Sequence, residues 1–187
     1  MTAELSGYQR ALDGFAAVLG AVPAASWAAP SPCAHWTARD VAGHLVGGQY
    51  MIRALARGTE PPEINAAPGR FAGTDPVNSW RAARKECAAA LTQDALRRPI
   101  PYGELGDVPL REFLGGYILE ALVHTWDLAR ATGVPARLDP DLVHHAFATA
   151  RVLATSLRTA GLLAPARPPP PRADELTRLL AFLGREP

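Results

Sequence analysis

LEALVHTWDLARATG, residues 119–133, decides how this chain folds. Upstream of it and through it, Leu110, Phe113, Tyr117, Ala121 and Leu128 recur at helical spacing, which at about 100° per residue makes one apolar stripe. Gly133 and then Pro135 stop the helix. The anomaly is polar. His124 falls within the stripe, Glu120 lies at its edge, and Asp127 lies just outside Glu120. A carboxylate and an imidazole one helical turn apart meet on one face, and if that face is dry something must satisfy them.

Other helices can be read outward from this one. Leu5, Tyr8, Leu12, Phe15 and Leu19 give a first helix over 3–20. AVPAASWAAPSPCAHW (21–36) is too rich in Pro and small residues for a helix and reads as a long ordered loop. Thr37 with Asp40 makes a capping box, with Asp in place of Glu, that opens a second helix running to about Ala56. RGTEPPEINAAPGRFAGT (57–74) reads as a mobile loop. Asp75 and Pro76, as N-cap and first helical residue, start a third helix expected to reach Leu96. RRPIPYGELGDVPL (97–110) is either a short extended hairpin or only a turn. The fourth helix starts near Pro109, and Asp139-Pro140 opens a fifth that ends about Ala160. APARPPPPRAD (164–174) is an extended polyproline connector, and ELTRLLAFLG (175–184) a short sixth helix. The expected fold is an all-α bundle of about four main helices with long connections, in a single domain over 1–187.

Composition narrows the function. With 187 residues, 48% hydrophobic, the chain suits one core, and a net charge of +1 leaves no footprint for nucleic acid or an anionic membrane. No apolar run approaches the roughly 20 residues that span a bilayer. The N-terminus has no basic segment followed by an apolar one, so no signal peptide is expected. Cys33 and Cys87 form no CxxC pair and are too few for a disulfide framework, so a reducing, cytoplasmic compartment is expected.

The second helix repeats the anomaly. Val41, Leu45, Gly48, Ile52 and Leu55 form its stripe, and His44 falls at the edge of it. Both helices thus send a ligand-type side chain inward, and the spacing alone does not bring His44 to Glu120. His44, Glu120 and His124 make a donor set of two imidazoles and a carboxylate, which suits zinc, nickel or iron better than magnesium or calcium. Three protein ligands leave a position for a further molecule. A core histidine can equally bond a backbone carbonyl, and Glu120 can pair with an arginine or with His124; the wheels leave both readings open. E-x-x-x-H is not the H-E-x-x-H of zinc proteases.

PSPCAHWTARDVAGHLVGG (30–48), LEALVHTWDLARATG and the closing LLAFLGREP together resemble the DinB-like metal-binding proteins of high-G+C actinobacteria, which are related to the N-terminal domain of mycothiol-dependent maleylpyruvate isomerase. The resemblance spans nearly the whole chain. It implies a DinB-like four-helix bundle with an extra short C-terminal helix, and a metal, commonly zinc, on His44, Glu120 and His124. It also implies mycothiol as thiol cosubstrate and a small electrophilic substrate, in an S-transferase or isomerase. The isomerase has a further C-terminal domain that helps form its active site, and this sequence stops before one. The reaction class is therefore implied without its particular substrate. A non-catalytic protein that binds or sequesters a small molecule is the alternative, and a homodimer is left open.

Asp127 is either the carboxylate that orients a ligand imidazole and moves a proton in catalysis, or a surface contact with Arg130 or a loop. Asp40, one turn before His44, caps its helix. Trp36 and Trp126 read as packing residues, with a place in the substrate wall as the alternative. Cys33 is a reactive thiol, an extra ligand or a packing residue, and packing is favoured because no neighbouring base is visible that would activate it. His35 is loop surface, and His144 and His145 have no assigned role.

Overall fold

The computed structural model describes residues 3–102, 106–159, 161 and 163–186. Its helices begin where the sequence caps them. α1 spans Ala3–Ala21. Thr37 and Asp40 exchange both hydrogen bonds of a capping box at the start of α2 (Ala38–Arg57), which ends on left-handed Gly58. The Asp75 side chain accepts from the Asn78 N–H at the start of α3 (Pro76–Ala90).

α3 is shorter than the third helix expected to Leu96. Thr92 accepts from the Ala95 N–H and so caps a new short helix, α4 (Gln93–Arg97). The chain turns at Leu91 because a cap that satisfies orphan N–H groups competes with helix continuation. The hairpin reading holds: β1 (Pro99–Pro101) pairs antiparallel with β2 (Asp107–Pro109), with Ile100 opposite Val108. α5 (Leu110–Thr132) ends on left-handed Gly133. α6 covers Pro140–Thr159, and the Ala160 end expected for it lies outside the described residues. Asp174 caps α7 (Glu175–Phe182). The proline-rich connector before it is tied down where the Arg167 N–H donates to the Ala181 carbonyl, 2.8 Å away.

α1, α5, α2 and α3 form a ring, each packing on the next and α3 closing back on α1, while α6 lies outside against α5 and carries α7. The protein is an all-α bundle with one two-stranded ribbon among the described residues. No helix among them is long and apolar enough to cross a membrane.

Glycines on α2 set how closely its neighbours approach. A methyl group at Gly43 would run into the backbone carbonyl of Pro68, and one at Gly48 into the Tyr117 hydroxyl of α5. The segment expected to be a mobile loop thus carries a 3-10 turn (Pro68–Ala72) seated on α2, and the Gly69 N–H donates to Asp40 Oδ1 at 3.1 Å. α5 is buried more widely than a single stripe. Leu114, Ile118, Leu119, Leu122 and Val123 are all at most 4% exposed, because α5 has neighbours on several sides.

Candidate metal centre

His44 on α2 and Glu120 and His124 on α5 meet between the two helices. His44 Nε2 and His124 Nε2 each lie 3.3 Å from the same oxygen, Glu120 Oε2. One ligand atom from each residue fits within a span of 4.8 Å. The imidazoles are buried, at 8% and 10% side-chain exposure, while the Glu120 side chain is 40% exposed and marks the open side.

Behind His124 is a second layer of charge. His124 Nδ1 lies 2.9 Å from Asp127 Oδ2, so a ring protonated there donates to the carboxylate and turns Nε2 toward the site. Asp127 is fully buried and also accepts from Arg185 Nη2 at 2.8 Å, Arg185 Nε at 3.2 Å and the Cys33 thiol at 3.2 Å. The wheel put Asp127 at the margin of α5, near Arg130. Two segments distant in sequence bury it instead, the loop that carries Cys33 and the C-terminal stretch that carries Arg185.

Burial pushes the Asp127 carboxyl up, but hydrogen bonds from His124 and the Arg185 charge outweigh it and bring it down to about 2. Burial likewise works against the Glu120 anion, yet both histidines hold it well below the usual carboxylate range. Burial favours neutral imidazole at His124, and Asp127, Cys33 and Glu120 overcome that, so its pKa is raised well above normal. At His44 burial wins and the ring stays neutral more readily. Without a metal, then, the two carboxylates favour the protonated form of His124.

Cys33 packs against the core, as favoured, and also reaches the polar cluster. Its Sγ lies 3.8 Å from both His124 Nδ1 and Arg185 Nη2, as well as against Asp127. A hairpin-like turn brings it there: the Ser31 N–H donates to the Trp36 carbonyl, Pro30 bridges Thr37, and His35 adopts φ 66°. His35 itself is exposed, as expected. Cys33, His124 and Asp127 form a second set with metal-ligand atoms, but the Arg185 guanidinium already supplies the positive charge there. A cation fits better between His44, Glu120 and His124.

Trp36 packs its ring on both candidate imidazoles, 5.0 Å from His44 and 5.9 Å from His124 between centroids. Trp126 is half-buried on α5. His144 pairs with Glu175 at 3.1 Å, and His145 meets the Gly115 carbonyl at 2.8 Å, both away from the centre. Sequence reasoning missed Arg185 altogether. Its only signal was position within the closing LLAFLGREP.

The model of the mycothiol maleylpyruvate isomerase N-terminal domain matches residues 8–129, which include all three candidate ligands. Two Mycobacterium tuberculosis proteins, described as the uncharacterized proteins Rv0738 and MT0763, are each 35% identical over 192 residues, covering 97% of this chain and 97% of theirs. Among solved structures, a histidine-to-alanine mutant of the mycothiol-dependent maleylpyruvate isomerase superposes with a TM-score of 0.61 at 18% identity. That match covers 78% of this chain and 65% of the isomerase, and it speaks for a shared fold. By the extent of the family match and the near full-length relatives, the chain belongs to the mycothiol maleylpyruvate isomerase N-terminal domain family.

Proposed function

We propose that this protein holds one divalent transition metal on His44, Glu120 and His124 and uses it to present a low-molecular-weight thiol, mycothiol, to a small electrophilic substrate, as an S-transferase or isomerase. The observation that carries this reading is the convergence of two imidazole Nε2 atoms, from two helices, on one oxygen of Glu120. Two imidazoles and a carboxylate suit zinc, with nickel and iron as alternatives, and leave room for an exogenous ligand. When bound, such a metal lowers the pKa of a coordinated thiol, so that the nucleophile exists at neutral pH.

The protein's own residues prepare the site. Asp127 fixes the His124 ring, and Arg185 keeps Asp127 charged. A carboxyl held down to about 2 is a weak base at neutral pH, so Asp127 orients rather than carries a proton. Trp36 covers the two imidazoles, while the exposed side of Glu120 admits ligands.

Protein purified without chelator should contain about one divalent metal per chain, and His124→Ala should lose most of it. Stoichiometric metal in a His44→Ala, His124→Ala double variant would remove this site from consideration. Metal-loaded protein should then conjugate or isomerise members of a panel of epoxides, quinones and cis-enones with mycothiol, followed by mass spectrometry. Equal conversion by the metal-free protein would return the chain to a non-catalytic binding role.

A further inference from the structure

Tyr102 follows β1, and its N–H donates to the Gly106 carbonyl at 2.8 Å, closing the hairpin turn. Its side chain leans away from the hairpin onto α5. The ring meets Phe113 edge-on at 5.4 Å, and a methyl group at Gly116 would run into the hydroxyl. The hydroxyl therefore rests on the backbone of α5 at a position that only glycine leaves open.

Gly116 and Glu120 are four residues apart on one helix and lie on the same face. Helical side chains tilt toward the N-terminus, so the Glu120 side chain leans back over the turn that Gly116 occupies. The Tyr102 hydroxyl thus lies over the face of α5 that carries Glu120 one turn on. Their proximity is felt electrostatically: burial first, and the Glu120 charge second, push the Tyr102 phenol up to about 12. The hydroxyl stays a donor at neutral pH. Among the described residues no hydrogen-bond partner meets it, although Tyr102 is half-buried. The Glu120 side chain, one turn further along the same face, is 40% exposed, whereas both imidazoles are nearly covered.

We propose that Tyr102 positions the substrate: its hydroxyl donates a hydrogen bond to an acceptor oxygen on the molecule bound at the exposed side of Glu120. The site then discriminates ligands carrying such an oxygen from apolar isosteres of the same shape. Phe113 holds the ring, and Gly116 lets it approach. This inference rests on the metal-centred reading above.

Two neutral thiols of the same heavy-atom count separate the possibilities, β-mercaptopropionamide with a carbonyl oxygen and isoamyl thiol without one. Each is titrated into the cobalt(II)-loaded protein, and the thiolate-to-cobalt absorption is followed. The native protein should prefer the amide by about fivefold, the range of one net hydrogen bond. Tyr102→Phe should abolish that preference, leaving cobalt content and the affinity for isoamyl thiol unchanged. Gly116→Ala, which drives the hydroxyl off α5 without removing it, should do the same. A preference that survives in both variants, or an equal loss for both thiols, overturns the role of Tyr102. Failure to take up cobalt, or a spectrum unmoved by either thiol in the native protein, overturns the metal-centred reading and this inference with it.

Discussion

Asp127 shows best what one residue does here and how far sequence could see it. A helical wheel finds His44, Glu120 and His124 because their angles relative to the apolar stripes are a property of each helix alone. The burial of Asp127 depends on Cys33 and Arg185, which reach it from opposite ends of the chain, and no local periodicity encodes that. Removing its charge should be felt in two ways. Asp127→Asn should weaken metal binding by about 10- to 100-fold, the usual effect of losing the carboxylate behind a ligand imidazole, as measured by competition with a chelating dye. It should also change acid stability. The Asp127 pKa is depressed from the ordinary aspartate value of 3.8 to about 2, so its stabilisation is complete above the unfolded value and is lost as pH falls through the folded one. In metal-free protein, roughly 2 kcal/mol should disappear between about pH 4 and pH 2, and denaturant melts of the Asn variant should lack that part of the fall. An Asn variant with native metal affinity and an unchanged acid profile would mean that the carboxylate orients nothing.

At the scale of elements, caps were the legible part and contacts between elements were not. Thr37-Asp40, Asp75-Pro76 and Gly133 mark the ends of helices because they satisfy or terminate orphan backbone groups within a few residues. Thr92 does the same at the start of α4, and its cap breaks what read as one continuous third helix. Why 57–74 should be ordered could not be read from its own composition. Its 3-10 turn is seated by glycines of another element, chiefly Gly43, and by the second oxygen of Asp40, whose first serves the capping box. Gly43→Ala should force the Pro68 carbonyl away and destabilise the protein by about 1–3 kcal/mol, the ordinary cost of overpacking. Thermal melts and protease sensitivity within 57–74 should both report it. An alanine variant with native stability and native resistance to proteolysis would show that this contact is not close in solution.

The whole molecule joins a ring of α1, α5, α2 and α3 to an outer pair, α6 and α7, and the candidate ligands span only α2 and α5. Residues from all four ring helices, Phe15, Leu45, Ala83 and Leu114 among them, are fully buried in a core of the kind a zinc finger lacks, so folding should not depend on the proposed metal. Chelation should leave the helical circular dichroism in place and lower the melting temperature modestly, with one cooperative transition if residues 1–187 form a single domain. Loss of the helical signal on chelation would make the metal a structural one. The all-α class was legible because helical spacing recurs along most of the chain; the closure of the site by Arg185 was not, because it depends on how the last residues return to α5. The central claim is that this return, the Cys33 turn and the two ring helices build one metal centre open to an external thiol. X-ray absorption at the zinc edge of the zinc-loaded protein tests it most directly. Before thiol is added the metal should see only nitrogen and oxygen neighbours, and mycothiol should bring in one sulfur at about 2.3 Å. Sulfur already present without added thiol, which would implicate Cys33, or none after mycothiol is added, would contradict the account.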